Sequence, residues 1–294
     1  MNLNIQHSFT GLNNKGRLYL VPTPIGNLDD MTFRAIKILK SVDIIAAENP
    51  SHTQQLLNHF EIESKKVSFR EDNKERRIPE LVEKLNAGLS IAQVSDAGMP
   101  SISDPGHELA VACIDNDISV VPLPGANAGI TALIASGLTP QPFYFYGFLN
   151  RKNSEQISEL ENLNQHEESL ILYEAPHRLF KTLKNIQKVM GSDRKAVLCR
   201  ELTKKFEEFT RGSIEELINW ANDNQIRGEF VIILQGNNHI NESQDDELKG
   251  LSISEQVNHF IEQRMKPNAA IKEVAKIHDV KKQDIYNIYH EIKK

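Results

Sequence analysis

Three segments rich in Pro, Gly, Ser and Asp stand directly after short apolar runs of the sequence. They are residues 22–27 (PTPIGN), 95–106 (SDAGMPSISDPG) and 122–128 (PLPGANA). Small residues let backbone N–H groups approach a ligand closely, and prolines fix the shape of a loop before binding. Either of the first two segments alone is also compatible with an ordinary turn. The second, however, holds more polar residues and prolines than a turn requires, so we interpret the three as parts of a ligand site.

Two charged segments stand in the second half of the chain. Residues 172–179 (LYEAPHRL) place an acid, an imidazole and a guanidinium, Glu174, His177 and Arg178, where a strand is expected to pass into a helix. A helix start explains Glu174 and the proline beside it equally well, but it does not explain the histidine and the arginine. Residues 200–208 (RELTKKFEE) form a second charged corner, for which a solvated loop and a functional loop are equally compatible.

Several catalytic motifs are absent from the sequence. There is no G-x-G-x-x-G after the first apolar run, no G-x-x-x-x-G-K-[ST], no H-E-x-x-H and no G-x-S-x-G. These absences disfavour a dinucleotide-binding dehydrogenase, a P-loop hydrolase, a zinc protease and a serine hydrolase. His52 and His59 lie seven residues apart without a nearby set of metal-ligating side chains, so we expect surface histidines and no metal site.

Composition limits the class of protein further. The 294 residues correspond to about two domains, and 34 Lys and Arg against 40 Asp and Glu give a net charge of -6. A generally basic nucleic-acid binder is thereby disfavoured, and any polyanionic partner has to meet a local basic patch. Two widely spaced cysteines, no apolar stretch of about 18 residues and no signal-peptide pattern predict an unexported cytoplasmic protein without a membrane span.

Hydrophobic periodicity predicts an α/β protein whose strands alternate with helices. In the first half, strands are predicted at 18–21, 44–47, 67–69, 91–94 and 120–121, and helices near 33–39 and at 54–60, 79–85, 107–114 and 128–135. In the second half, strands are predicted at 143–148, 170–173, 196–198 and 230–234, with helices at 157–163, 179–189 and 214–220. The alternation of strands with helices in the first half is typical of a largely parallel, buried sheet, and the second half is predicted to form another α/β unit.

The predicted organisation has five parts. They are a loose N-terminal extension (1–15), a first α/β domain (16–137), a second α/β domain (138–236), an acidic linker (237–250) and a helical, helix-turn-helix-like module (251–294). The linker is assigned because acidic side chains replace apolar ones there. The module is assigned from three helical periods, the last two separated by a short turn at 278–282.

Five segments, taken in order, resemble the tetrapyrrole methylase superfamily. They are 21–28 (VPTPIGNL), 94–106 (VSDAGMPSISDPG), 124–127 (PGAN), 173–178 (YEAPHR) and 200–204 (RELTK). Within that superfamily they are similar to the bacterial branch that methylates the 2'-hydroxyl of cytidine 1402 in 16S ribosomal RNA. The resemblance runs from Gly16 to about Gly236 and includes the C-terminal helices.

The resemblance implies two α/β domains with S-adenosylmethionine in the cleft between them, and a homodimer. The cofactor-binding residues that it implies are Pro24, Ser95, Asp96, Ala97, Ser101, Ile102, Tyr173, Glu174, Thr203 and Gly228. Tetrapyrrole enzymes have Gly-Asp-Pro where this chain has Ser95-Asp96-Ala97, and a glycine-rich first loop where it has Pro22-Thr23-Pro24. Both differences argue against a porphyrin-like substrate.

The implied reaction is attack of a ribose hydroxyl on a methyl group carried by a positively charged sulfur, so the hydroxyl must lose a proton. Candidate proton acceptors are Glu48, Asp96, Asp104, His107, Glu174 and His177. The sequence does not choose among them, and the corner holding Glu174 and His177 is slightly favoured as a hypothesis.

Contact with 16S ribosomal RNA in the 30S subunit is assigned to local basic residues. They are Lys65, Lys66, Arg70, Arg76, Arg77, Arg178, Lys281 and Lys282. Two alternatives stay open: methylation of a small tetrapyrrole-type substrate, and a non-catalytic RNA-binding factor in ribosome assembly.

Overall fold

The computed structural model describes residues 5–8, 14–237, 248, 250–262, 265–278 and 280–290. It divides into two compact units, Met1–Gln235 and Gly236–Lys294. Both predicted α/β domains fall inside the first unit. The boundary assigned between them at residues 137 and 138 stays a prediction.

The first sheet is parallel throughout, which confirms the prediction for this half of the chain. Its strands are β1 (Arg17–Leu20), β2 (Ile44–Ala47), β3 (Lys65–Ser68), β4 (Ile91–Val94) and β5 (Ser119–Pro122), in the spatial order β3-β2-β4-β1-β5. Every residue of β2 and β4 is buried. Helices cover both faces of such a sheet, so its inner strands are apolar without alternation.

Five helices follow these strands. They are α1 (Phe33–Ser41), α2 (Pro50–His59), α3 (Lys74–Asn86), α4 (His107–Asp115) and α5 (Ala128–Ser136). The helix predicted at 54–60 begins at Pro50, because the Asn49 side chain caps it by accepting from two backbone N–H groups. The helix predicted at 79–85 begins at Lys74, and Pro79 lies inside it rather than at its start.

The second sheet is mixed. Its strands are β6 (Phe143–Phe148), β7 (Ser169–Glu174), β8 (Lys195–Arg200), β9 (Glu208–Ser213) and β10 (Phe230–Leu234), in the order β6-β7-β10-β8-β9. Only β6 and β7 pair in parallel. The edge strand β9 was not predicted, because its EFTRGS sequence is partly buried without alternation. Helices α6 (Asn153–Leu163), α7 (Pro176–Met190) and α8 (Ile214–Asp223) complete this half.

Helix α5 joins the two halves of the first unit. It follows β5 in the chain, but its buried residues Ala132 and Leu133 pack against Ile171 and Ile233 of the second sheet. The side chain of Arg211 donates to the carbonyl oxygens at the end of α5, at 2.7 and 2.9 Å. The ends of both sheets are therefore held next to one another within one unit.

The second unit contains the three predicted helices, α9 (Ile253–Glu262), α10 (Pro267–Ile277) and α11 (Lys282–Tyr289). They share a small core that includes Val257, Phe260, Val274 and Ile285. Most of the predicted acidic linker, residues 238–247 and 249, and much of the predicted N-terminal extension, residues 1–4 and 9–13, lie outside the described residues. In the part of the chain that the structure describes, no helix is both long enough and apolar enough to cross a bilayer.

Candidate active site

The three polar loops predicted to form a ligand site meet at the carboxyl ends of β1, β4 and β5. Thr23 and Gly98 form an isolated bridge, with N–H to carbonyl distances of 3.0 and 2.9 Å. The Thr23 hydroxyl also donates to the carbonyl of Ser95 at 3.1 Å. A Cβ atom on Gly125 would lie 2.5 Å from the Cβ of Pro22, so only a glycine fits against the first loop at that point. The loops are therefore packed against one another.

Backbone strain is concentrated around the same loops. Ser101 and Ser103 have φ values of 71° and 63°, and Glu201 and Thr203, in the charged corner of the second half, have values of 50° and 65°. A side chain in this left-handed region costs about 1–3 kcal/mol, and such strain persists where the surrounding structure enforces it, commonly at functional sites.

A cavity of about 550 Å³ opens between the loops of the first sheet and the strand ends of the second. Its lining includes Ala97, Met99, Ile102, Asp104, Phe148, Tyr173, Leu202 and Val231. Ligand sites are commonly cavities of this size, with apolar walls and a few polar groups. We call it the larger cavity.

A second cavity of about 380 Å³ adjoins the first and is called the smaller cavity. Its lining is more polar and includes Thr23, Pro24, His52, Thr53, Gln55, Ser95 and Asp96. The two cavities share four wall residues, Ile25, Ala97, Lys204 and Glu229. Two neighbouring cavities that share lining residues suit a reaction between two bound molecules.

Two neighbouring carboxylates act on Asp104 at these cavities. Burial, and then the neighbouring charges of Glu48 and Asp96, raise the pKa of Asp104 to about 7. Asp104 lines the larger cavity, Asp96 lines the smaller one, and the Glu48 carboxylate accepts from the Asp96 N–H at 3.1 Å. Of the six candidate proton acceptors, Asp104 therefore has a pKa in the range that general acid–base catalysis uses.

The slightly favoured pair, Glu174 and His177, is split between two environments. Glu174 is 3% exposed, and its carboxylate accepts from the Ala175 N–H at 2.9 Å and from the Thr182 hydroxyl at 2.5 Å. Arg178 forms an ion pair with it at 3.2 Å. His177 is exposed and lines the larger cavity. A carboxylate that is buried and bonded on both oxygens fixes the start of α7, which leaves it poorly placed to take a proton from a substrate.

Replacing Glu174 with Ala is therefore expected to lower the free energy of unfolding by about 3 kcal/mol, because a buried ion pair loses one partner. Urea denaturation monitored by circular dichroism measures this change. His177→Ala is the matched control in the same helical turn, with an expected change below about 0.5 kcal/mol. A stable Glu174→Ala protein that has lost its activity would instead restore Glu174 as a catalytic candidate.

The other predicted residues are distributed around the site. Pro24, Ser95 and Asp96 line the smaller cavity, Ile102, Tyr173 and Glu174 line the larger one, and Ala97 lines both. Ser101, Thr203, Gly228 and His107 are outside both linings, and His107 is the exposed first residue of α4. Within the described residues, the buried hydroxyl oxygens of Ser101 and Thr203 have no hydrogen-bond partner.

The basic residues predicted to contact RNA have different surroundings. Several already have partners in the protein: Arg70 binds Asp72, Arg77 binds Glu80, Lys66 donates to the Ser64 carbonyl, and Arg178 donates to the carbonyls of Leu149 and Asn150. Arg178 therefore braces the start of α7. Lys65 and Arg76 are exposed on the first unit, and Lys281 and Lys282 are exposed where α11 begins.

Two residues at the site were missed by sequence reasoning. His52, expected to be a surface residue, lines the smaller cavity with its Nδ1 3.5 Å from Asp96 Oδ1. Lys204 lines both cavities and its Nζ donates to Glu201 at 3.1 Å and to Glu229 at 2.6 Å. The position of His52 just beyond the carboxyl end of β2 was the available signal. Among the described residues, no group of three or more His, Cys, Asp or Glu is placed to hold a metal ion.

Sequence comparison gives matches over nearly the whole chain. Residues 17–218 match the family described as Tetrapyrrole (Corrin/Porphyrin) Methylases. The chain is 52% identical to a Bacillus subtilis protein named Ribosomal RNA small subunit methyltransferase I, over 97% of this chain and 98% of the relative. A Streptococcus pyogenes protein of the same name is 49% identical over 99% of this chain and 100% of the relative.

Solved structures show the same fold at low identity. The uroporphyrin-III-C-methyltransferase of Thermus thermophilus superposes with a TM-score of 0.55 and 18% identity, over 76% of this chain and 95% of that one. A diphthine synthase superposes with a TM-score of 0.58 and 12% identity, over 75% of this chain and 90% of that one. Both similarities cover about three quarters of the chain and support the α/β architecture described above.

Proposed function

The chain belongs to the tetrapyrrole methylase family, and from that premise we propose that it transfers a methyl group from S-adenosylmethionine to RNA of the small ribosomal subunit. The observation that carries this proposal is the identity of about one half, over nearly the full length of both chains, with proteins named Ribosomal RNA small subunit methyltransferase I. The two adjoining cavities supply the compartments that such a transfer needs.

The acceptor that we propose is the 2'-hydroxyl of cytidine 1402 in 16S ribosomal RNA, and the cytoplasm is where the enzyme would meet it. The five sequence segments that resemble the RNA-methylating branch support this choice. The Ser95-Asp96-Ala97 and Pro22-Thr23-Pro24 segments, which differ from those of tetrapyrrole enzymes, disfavour a tetrapyrrole substrate.

We assign S-adenosylmethionine to the larger cavity on the grounds of its volume and its lining. Apolar walls at Ile102, Phe148 and Leu202 suit an adenine ring, and the Asp104 carboxylate suits a cationic sulfur. When bound, the cofactor supplies a methyl group on a positively charged sulfur that is ready to leave. The protein's own task is then to hold the acceptor oxygen in line with that methyl group and to exclude water.

The test uses purified wild-type protein, S-adenosylmethionine and 30S subunits from a strain that lacks the modification. Mass spectrometry of the nucleosides is expected to show 2'-O-methylcytidine, located at position 1402 by analysis of nuclease fragments. Methylation of a precorrin-like compound without methylation of 30S subunits would establish the tetrapyrrole alternative. Cofactor binding or 30S binding without any transfer would favour the assembly factor.

The exposed lysines at the start of α11 support an RNA-binding role for the C-terminal helices. Deleting residues 251–294 is expected to weaken binding to 30S subunits by at least tenfold, because several phosphate contacts would be lost. Cofactor binding is expected to change less than twofold, since both cavities are lined by residues of the first unit. Filter binding and calorimetry measure the two affinities, and an equal loss of both would assign the helices a structural role.

We also propose that the enzyme is a homodimer. Ile130 and Ile134 lie one helical turn apart on the outer face of α5, and Ile134 is 74% exposed. Phe143 and Tyr144 of the edge strand β6 are exposed as well. Exposed apolar groups of this kind favour burial against a second copy. Sedimentation equilibrium measures the mass of the protein in solution, which distinguishes a monomer from a dimer.

A further inference from the structure

A histidine and an aspartate face the smaller cavity together. His52 is in the first turn of α2 and its Nδ1 lies 3.5 Å from Asp96 Oδ1. That oxygen is buried and has no hydrogen-bond partner among the described residues. The Asp96 backbone is fixed by its N–H, which donates to Glu48. A carboxylate held in this way can orient an imidazole, as in other His–Asp pairs that accept protons.

The smaller cavity is placed to hold a second molecule beside the larger one. Ile25, Ala97, Lys204 and Glu229 line both cavities, so groups bound in the two cavities meet the same side chains. Polar residues make up a larger share of the lining of the smaller cavity than of the larger one, and the His52 side chain is 55% exposed to solvent. A nucleotide within a large RNA can enter only a site that is open in this way.

We propose that the smaller cavity receives the acceptor nucleotide and that His52, oriented by Asp96, takes the proton of its ribose 2'-hydroxyl. This inference rests on the proposed function and adds the acceptor site and the base to it. As the ribose oxygen bonds to the methyl carbon, the carbon–sulfur bond breaks and its electron pair stays on sulfur. The hydroxyl proton passes to Nε2 of His52, since Nδ1 faces Asp96.

The first test compares His52→Ala and His52→Gln with His59→Ala. His59 is an exposed residue on the same helix that is outside the linings of both cavities, which makes it the matched control. S-adenosylmethionine binding is measured by calorimetry, and methyl transfer to unmodified 30S subunits is measured in single turnovers. Both His52 variants are expected to bind the cofactor within twofold of wild type and to transfer about 100-fold more slowly, the effect typical of a lost general base.

A pH profile separates a proton acceptor from a purely structural residue. The charged groups around His52 are Asp96, Glu48 behind it, and Lys204 and Glu229 in the cavity wall. Transfer is followed from pH 6 to 9 at saturating S-adenosylmethionine. Under this condition, groups that affect only cofactor binding do not change the measured rate. The wild-type rate is expected to rise with pH and then level off. The His52→Ala rate should lose this rise, and added imidazole should restore part of the rate.

Three results would overturn the inference, and one of them would also overturn the proposed function. Transfer by His52→Ala at a third or more of the wild-type rate would overturn the inference while the proposed function stands. Loss of cofactor binding in both His52 variants would place the cofactor in the smaller cavity and would also overturn it. A folded wild-type protein that transfers no methyl group to 30S subunits would overturn the proposed function, and the inference with it. His52→Gln keeps the test valid if the alanine variant unfolds.

Discussion

Replacing Asp104 with Asn is expected to weaken S-adenosylmethionine binding by tenfold to a hundredfold at pH 8 and to change S-adenosylhomocysteine binding less than twofold. Asp104 lines the larger cavity, whose surface is mostly apolar. Two opposite charges near a protein surface attract by about 4 kcal/mol at 4 Å, and solvation removes part of that gain. Only the methylated cofactor carries the positive sulfur, so the product serves as an internal control. Calorimetry gives both affinities.

The raised pKa of Asp104 gives this prediction a pH dependence. With a pKa of about 7, Asp104 is mostly protonated at pH 6 and mostly ionised at pH 8. Wild-type affinity for S-adenosylmethionine is therefore expected to rise by up to about tenfold between these pH values and then level off. The amide side chain in the Asp104→Asn variant does not titrate, so the affinity of that variant should stay flat. Asp115→Asn, at the exposed end of α4, is the control for an equal change in net charge.

The same shift affects the stability of the protein without ligand. Because the pKa of Asp104 is higher in the folded protein than its ordinary value of 3.8, folding favours the protonated form. The contribution of Asp104 to the free energy of unfolding is present at low pH and is lost as the pH rises from about 4 to about 7. The loss is at most about 4 kcal/mol. The Asp104→Asn variant should thus gain stability relative to wild type over that range. A constant difference between the two proteins would contradict the raised pKa.

The first sheet could be predicted from sequence because local and tertiary preferences agree there. The IIAA and IAQV runs of β2 and β4 are apolar without alternation, as strands covered on both faces must be. Strand β9 could not be predicted in the same way. Its place depends on antiparallel pairing with β8, from Lys195 opposite Ser213 to Arg200 opposite Glu208, and backbone hydrogen bonds supply that pairing whatever the side chains are.

The site was predicted in part for a similar reason. Loops at the carboxyl ends of neighbouring parallel strands converge, so the segments 22–27, 95–106 and 122–128 were correctly expected to meet. Which acid carries the shifted pKa could not be predicted, because burial of Asp104 is a property of the assembled fold. The internal role of Glu174 could be inferred from the sequence: Arg178 and Thr182 lie four residues apart on one face of α7, and both contact the Glu174 carboxylate at the end of β7.

The contact between the first loop, residues 22–27, and residues 202–204 joins two segments that are far apart in the sequence. A Cβ atom on Gly26 would lie 2.9 Å from the Thr203 hydroxyl, 3.1 Å from the Leu202 carbonyl and closer still to Cγ of Lys204. Gly26 belongs to the first half of the chain and these neighbours to the second. The glycine is therefore required for the two halves to approach, although its backbone conformation alone does not show this.

Replacing Gly26 with Ala is accordingly expected to lower methyl transfer about 100-fold. The added methyl group pushes Lys204 out of the wall that both cavities share, and a displacement of about 1 Å at a reacting centre costs a factor of this order. The free energy of unfolding should fall by only about 1–3 kcal/mol, the usual cost of an overpacked contact. Single-turnover transfer to 30S subunits and urea denaturation measure the two effects.

A double-mutant cycle with Lys204→Ala identifies the cause. Lys204→Ala alone removes the ion pairs with Glu201 and Glu229, so it should also slow transfer. In the double variant the added methyl group meets a shortened side chain, and the combined loss should be at least tenfold smaller than the product of the two single losses. Independent effects of the two substitutions would mean that the glycine acts through the Leu202 carbonyl or the Thr203 hydroxyl instead. Transfer by Gly26→Ala within threefold of wild type would show that the two halves separate easily, and the shared wall would then not be what positions the reacting groups.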